Sequence, residues 1–345
     1  MEKEKKIITG FDIGGAHLKV ARTENGRVVN ATTIAAPLWQ GVDKLTSALA
    51  EALPLYADAD LKVFTMTGEL ADVFTSREAG VATLLNEIEQ RISGEAKLIY
   101  AGRSGFVTMA QASSLGADVA SANWNATAAI VAKLAGGGLF VDMGSTTTDL
   151  IAIRDGAVAN RGYSDAERLL TGELVYTGFT RSYLFSVASS APVRGRLTPL
   201  MNEYFASMAD VHRIMGALDE RDDKHPAADG KEKTVPASCA RLARIVGRDA
   251  PDMDLTGWLN LARWFSEQQL RMVHDAAFRV ASNVAGQAPV IGAGIGRWQI
   301  RRLAQRMERD FVDFSDIITA DDAVRNDASN AAPAVAVALL AGARE

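Results

Sequence analysis

Two stretches of this chain set a carboxylate against a glycine turn in the same way. Ile7 to Val20 reads IITGFDIGGAHLKV and Leu139 to Ile153 reads LFVDMGSTTTDLIAI. Each is an apolar run, an Asp-x-Gly-small turn and a second alternating run, the pattern of strand, tight turn, strand. Backbone N–H groups in such a turn form an anion-binding concavity, and glycine or serine lets phosphate oxygens approach without a Cβ clash. Asp12 and Asp142 stand where each can hold Mg²⁺, or water on Mg²⁺, bridging to a phosphate. Gly14, Gly15, His17 and Lys19 furnish the first turn, and Gly144, Ser145, Thr146, Thr147 and Thr148 the second. Facing each other across a cleft, the two would clamp one di- or triphosphate.

Further candidates surround these turns. Glu69 follows Thr67-Gly68 at a strand end, where a carboxylate can serve as a general base or start a helix. Asp149 repeats the position of Lys19, as a second candidate base or as that lysine's partner. His17 touches either a phosphate oxygen or local backbone. A third glycine turn, Gly292, Gly294 and Gly296, is suited to a nucleobase or another flat group, with Arg297-Trp298 beside it. Asn123, Trp124 and Asn125 lead into a helical stretch; Asn125 reads as an N-cap and Trp124 as core, the alternative being an indole packed on a flat substrate with the amides fixing it. His212, His225 and His274 share no ligand spacing and read as structural or solvated. Cys239 is the single cysteine, which excludes a disulfide framework and any multi-cysteine metal site.

The positioning elements repeat as well. Gly26 in NGRVV lies fourteen residues after Asp12, and Gly156 in DGAVA fourteen after Asp142, so each copy continues through a second turn into a third strand. Asn-Gly and Asp-Gly are common hairpin turns, but four glycines and two aspartates at matched spacing argue for a duplication. Leu61 to Leu70 and Ala96 to Gly102 read as buried strands, and Val42–Tyr56, Gly80–Ile92 and Ser121–Leu134 as helices. Gly136-Gly137-Gly138 marks a boundary. Leu255–Ala285 is a long amphipathic stretch, and Glu220–Lys233, dense in charge, Pro and Gly, reads as a solvated excursion.

A chain of 345 residues, 48% hydrophobic and 23% charged, has core enough for two domains and is not a disordered protein. Its net charge of -5 argues against coating nucleic acid. The charged start MEKEKK leads into no signal-peptide core, and the apolar run Ala331–Ala343 is too short to span a bilayer, so a cytoplasmic, membrane-free setting is expected. No Walker A loop and no complete dinucleotide fingerprint is present.

Two DxG turns followed by GAGIG resemble the phosphate-1, phosphate-2 and adenosine segments of the actin, sugar-kinase and heat-shock-protein superfamily. The resemblance implies an α/β fold of two duplicated actin-like (RNase H-like) domains with an interdomain cleft: 1–135, to which a helix at 331–345 returns, and 136–330 with helical insertions. MTGELAD (Met66 to Asp72) with VDMGSTTTDL resembles the hydantoinase and oxoprolinase branch. SANWNATA, VDMGSTTTDL and SCARLARIVGRD are similar to a family of methanofuran and methylofuran biosynthesis, often labelled a tetrahydromethanopterin-linked one-carbon transfer protein. That resemblance implies a transferase joining a furanylmethyl diphosphate to the phenol of a γ-glutamyl tyramine or tyrosine conjugate, with release of pyrophosphate. Small-molecule substrates and Mg²⁺ are then expected, ATP is not expected to be required, and in the functional alternative for Trp124 its indole would pack on the furan or phenol ring. Arg103, Arg161 and Arg168 are available for the glutamyl carboxylate, and the oligomeric state is left open. The alternatives are an ATP-dependent kinase or lactam-opening enzyme, and a nucleotide-switched binding or filament protein.

Overall fold

Ile7–Ile13 (β1), buried from its second residue onward, His17–Glu24 (β2) and Arg27–Ala35 (β3) build an antiparallel meander, in which Asp12 faces Lys19 and Ile13 faces Leu18. Leu61–Met66 (β4) joins β1 in parallel, and Lys97–Tyr100 (β5) joins β4, with the short Phe106–Val107 (β6) antiparallel at the edge. The order is β3-β2-β1-β4-β5-β6. The computed structural model describes residues 6–94, 96–284 and 286–344. Met1 to Lys5 of the charged start, and Ala285 at the end of the amphipathic stretch, lie outside the described residues.

A second sheet repeats this plan. Gly138–Met143 (β7) and Thr148–Arg154 (β8) are its central neighbours, and Ala157–Val158 (β9) and Leu174–Val175 (β10) both pair with β8. Ser190–Val193 (β11) and Arg196–Pro199 (β12) form a separate hairpin. Val290–Ala293 (β13) runs parallel to β7, as β4 does to β1, and Phe311–Asp313 (β14) follows outside it, as β5 does outside β4. The outer turns match in detail: Asn25 and Gly26 have φ of 51° and 78°, Asp155 and Gly156 of 55° and 73°. Two successive positive φ values define the type I′ hairpin, which is why these pairs are Asn-Gly and Asp-Gly.

The chain divides into two compact units. One comprises residues up to Gly138, Ile153–Ala159 and the chain from Val312 onward; the other comprises Leu139–Ala152 and Asn160–Phe311. The return to the first unit therefore begins at Val312, earlier than position 331. The reason is backbone pairing: Val28 donates to Thr319 O at 2.9 Å and Asp321 to Val28 O at 3.0 Å, laying this segment beside β3.

In the first unit, Asp43–Tyr56 and Arg77–Arg91 bury one stripe each, Leu45, Ala48, Leu49, Ala52 and Tyr56 on the former and Val81, Leu84, Leu85 and Ile88 on the latter. These share a core with the stacked rings of Phe11 and Phe64, 4.5 Å apart. Arg77–Arg91 starts earlier than the apolar spacing indicates because Ser76 caps Ala79 N at 3.1 Å. The helix Ala332–Gly342 is buried on nearly every side against β1 and the helix Asn123–Ala135. A Cβ at Gly10 would overlap Ala334 O, so the glycine of β1 admits this helix. Among the described residues no helix is long and apolar enough to cross a membrane.

The second unit departs from expectation at Glu220–Lys233. This segment wraps two buried arginines instead of extending into solvent. Arg213 donates to Glu220 Oε1 and Oε2, both at 2.8 Å, and to Asp223 at 2.6 Å; Arg241 donates to Asp229 at 3.1 Å and to Glu232 O at 3.2 Å. Its charge is there because buried guanidinium groups need counter-ions. The amphipathic stretch ends as a helix at Ala281, after a start capped by Asp254 on Gly257 N at 2.8 Å.

His212 is fully buried in this unit, stacked on Phe179 at 3.9 Å between ring centroids, with Nε2 3.2 Å from Gln269 Oε1. Burial pushes its pKa down to about 3; the Gln269 hydrogen bond opposes this weakly and Arg302 assists it. The folded protein thus keeps His212 neutral where the unfolded chain takes up a proton below about 6.5. Stability should therefore be unaffected by this residue above pH 7 and fall by up to about 1.4 kcal/mol per unit as pH drops from 6.5 to 5. Urea midpoints across that range check this: His212→Gln should flatten the slope, and an unchanged slope refutes the account.

Candidate functional site

Both central hairpins close with one hydrogen bond in the same register. Gly14 N donates to His17 O at 2.9 Å, and Gly144 N to Thr147 O at 3.0 Å. The turn carbonyls are then drawn backward by neighbouring chain. Gly15 O accepts from Leu38 N and Ala16 O from Ala36 N, both at 2.9 Å; Gly144 O accepts from Phe179 N at 2.9 Å and Ser145 O from Arg181 N at 2.8 Å. A trans peptide points its N–H opposite its carbonyl, so each brace turns an amide of the tip outward: Ala16 in the first turn, Ser145 and Thr146 in the second. Among the described residues, none of these three amides enters a hydrogen bond. A Cβ on Gly15 would meet nothing within 4 Å, so the tip of the first turn is open.

A carboxylate stands at the base of each turn. Asp12 is 2% exposed, with Lys19 Nζ 3.4 Å from its Oδ2 across the strand pair. Asp142 is buried in the matching place on β7. Among the described residues no group of three or more acidic, His or Cys side chains is arranged to hold a metal by itself. One carboxylate per turn fits Mg²⁺ that arrives with a phosphate and keeps most of its waters, rather than a permanently caged ion.

Several expected roles change once partners are seen. Thr148 is fully buried and its Oγ1 donates to Thr177 O at 2.7 Å, so this hydroxyl anchors the brace and is not a phosphate donor. Asp149 accepts from the buried Arg168, which also donates to Glu173 O at 3.1 Å; the pair is structural, and it removes Asp149 as a base and Arg168 as a ligand for a carboxylate. Glu69 has no exposed surface and its Oε1 accepts from Ser121 Oγ at 2.6 Å. It ties the turn after β4 to the residues leading into Asn123–Ala135, at Ser121, whose φ is 51°. Asn125 lies inside that helix rather than at its cap, and accepts from Tyr100 Oη at 2.8 Å. Asn123 accepts from Trp124 N at 2.7 Å, and Trp124 is 2% exposed, a core side chain and not a platform for a ring.

Gly292, Gly294 and Gly296 are likewise required by packing. A Cβ on Gly292 would strike Phe311, one on Gly294 would strike Asp142 and Met143 O, and one on Gly296 would strike the Met143 side chain. Gly296 N donates to Met143 O at 2.9 Å, just as Thr67 N donates to Ile13 O at 2.9 Å. The GAGIG segment is thus the second copy's counterpart of Thr67-Gly68, pressed on the strand end that carries Asp142, and a flat ligand is not what its glycines make room for. Trp298 stands edge-on to His212 and under Arg302, which anchors the following helix. His17 is 9% exposed, with its carbonyl closing the first turn; Ser145 Oγ and Thr146 Oγ1 lie 3.4 Å apart at the second, and Thr147 is half-buried. Arg103 is exposed beside Asp118, and Arg161 is exposed.

Sequence reasoning missed the segment Thr177–Tyr183. Besides supplying the brace, it brings Arg181 Nη1 to 3.2 Å from Thr146 Oγ1. Gly178 fits against Ser145 and Thr146 with no space for a Cβ, and Gln269 fixes it from behind, donating to Gly178 O at 2.7 Å and Thr177 Oγ1 at 3.0 Å. TGFTRSY has no glycine-motif signature, and only its position after β10 could have singled it out.

Two sheets built on one plan, each with an Asp-x-Gly hairpin at its centre, define the actin-like fold. The nucleotide-free structure of acetone carboxylase, 10% identical, matches it with a TM-score of 0.51 over 84% of this chain and 65% of that one. The hydantoinase/oxoprolinase family pattern matches residues 60–308. A relative from Methanocaldococcus jannaschii, the (4-{4-[2-(γ-L-glutamylamino)ethyl]phenoxymethyl}furan-2-yl)methanamine synthase, is 31% identical over 97% of this chain and 98% of its own length. A protein of the same name from Methanococcus vannielii is 26% identical over 59% of this chain and 89% of its own. The chain therefore belongs to this furan-methanamine synthase family, within the hydantoinase/oxoprolinase branch.

Proposed function

We propose that this chain joins a furanylmethyl diphosphate to the phenol oxygen of a γ-glutamyl tyramine conjugate, forming the aryl ether present in the product for which its relatives are named. The bond from the furanylmethyl carbon to the diphosphate oxygen breaks with its electron pair leaving on pyrophosphate. The phenol oxygen bonds to that carbon, and its proton passes to solvent or a nearby base. Nothing is oxidised or reduced. The ring oxygen and π-electrons delocalise positive charge at the departing carbon, so the demand on the protein is to stabilise pyrophosphate as its charge develops.

The observation that supports this reading is the pair of braced turns, one outward amide in the first and two in the second, each beside a buried aspartate. Lys19 adds an ammonium at the first turn. Magnesium, when bound with the diphosphate, neutralises charge on the leaving group. In this reading the turns meet the diphosphate, and an attached adenosine contributes little.

Incubation with both substrates, followed by mass spectrometry and a pyrophosphate assay, tests the reaction: equimolar ether and pyrophosphate support it, and neither product refutes it. Calorimetry separates an ATP-consuming enzyme, since ATP bound about tenfold more tightly than pyrophosphate, about 1.4 kcal/mol, would show the adenosine to matter. Glu69→Gln tests for the base. Because Glu69 is buried on Ser121, we expect ether formation and pyrophosphate release to fall together. Selective loss of ether formation would reinstate it as the group that takes the phenol proton.

A further inference from the structure

We infer that Arg181, Tyr183 and Tyr204 form a subsite in the second unit, Arg181 holding the diphosphate and the two tyrosines flanking the ring attached to it. The ligand class rests on the function proposed above; the placement rests on the segment that braces the second turn. Arg181 uses its backbone N–H to hold Ser145 O and its guanidinium to reach Thr146 Oγ1 at 3.2 Å. One residue thus fixes the turn and brings a cation to its side-chain edge. Burial is the main influence on this guanidinium and lowers its pKa, while the hydroxyls of Tyr183, Tyr176 and Tyr204 act on it in the opposite sense. A partly desolvated guanidinium is more weakly hydrated than an ammonium and presents a planar fork to paired phosphate oxygens.

The tyrosines follow from the backbone. Ser182 O accepts from Met208 N at 2.9 Å, Thr180 O accepts from Ala209 N at 3.0 Å, and Tyr183 bridges Ser207 in antiparallel fashion. Tyr183 and Tyr204 both act electrostatically on Arg181, so both lie close to its guanidinium. The same pairing brings Tyr204 to Tyr183, with ring centroids 4.5 Å apart and planes inclined at 51°. These rings remain 42% and 40% exposed. Two partly exposed aromatic rings beside this cation suit an electron-poor furanylmethyl carbon, because a π-face stabilises positive charge as the diphosphate departs.

Arg181→Ala should weaken pyrophosphate binding in the presence of Mg²⁺ by about tenfold or more by calorimetry, and Arg181→Lys by less, with melting curves showing both folded. Tyr183→Ala and Tyr204→Ala should raise KM for the furanylmethyl diphosphate while pyrophosphate affinity stays as in the wild type, and Phe at either position should restore KM. Pyrophosphate affinity unaltered by Arg181→Ala overturns the assignment of the cation, and unaltered KM in both Ala variants overturns that of the rings. A wild-type protein that binds pyrophosphate but never consumes the furanylmethyl diphosphate defeats the proposed reaction and the ring subsite, while the titration still decides Arg181.

Discussion

Asp12→Ala and Asp142→Ala should each lower kcat by about 10²–10³-fold or more, the scale of losing one preorganised group that meets developing charge. The two residues occupy equivalent positions at the ends of β1 and β7, so the loss should be of similar size in both units. Asp12→Ala has a second effect, because Lys19 loses the carboxylate 3.4 Å from its ammonium and with it the restraint that aims it along the strand pair. Asp12→Asn keeps the volume and should recover little, since an amide neither pairs with the lysine nor meets Mg²⁺ as an anion does. Steady-state assays at saturating substrate, with melting curves for folding, decide the matter; wild-type kcat in both Ala variants would remove the turns from the reaction.

Asp210→Ala should be the most destabilising single change in the second unit, by about 3–5 kcal/mol. Asp210 is 2% exposed and accepts from Arg241 Nε and Ser238 Oγ, both at 2.8 Å, with Arg213 3.6 Å away and Ser207 N at 3.1 Å. Arg241 has no exposed surface, so losing Asp210 leaves its buried charge with Asp229 alone, in a place where water cannot replace the missing partner. Arg241→Met made together with Asp210→Leu should cost less than the sum of the two single changes, because the double change removes both members of the buried pair at once. Urea unfolding followed by tryptophan fluorescence reads this directly, since Trp258 and Trp264 belong to the same cluster. Additive losses would show that the pair is not coupled.

Much of this was legible because turn chemistry is local. Asn25-Gly26 and Asp155-Gly156 need positive φ, and only a few residue types supply it, so the duplication is written into the letters. The Asp-x-Gly turns were visible as short local strings, although Gly14, Gly15 and Gly144 are not at positive φ. What escaped depends on contacts far apart in sequence. Asp149 and Arg168 are each plausible ligands alone, and only their pairing reveals a structural role. The glycines of GAGIG carry a close backbone approach that looks, in sequence, the same as room for a ligand. Glu220–Lys233 has the composition of a solvated loop because acids that serve buried arginines look like acids that serve water. Arg181 was invisible since its reach to Thr146 spans thirty-five residues.

The brace on the second turn divides labour between main chain and side chains. Phe179, Thr180 and Arg181 hold Gly144 and Ser145 through amide hydrogens that every residue but proline possesses. Side chains along this segment can therefore be exchanged without releasing the turn, so recognition of the ring is free to drift while the anion site stays fixed. A library randomised at 183, with proline excluded and Arg181 kept, should consequently yield folded proteins of altered substrate choice, whereas the same effort at Gly178 should yield almost none.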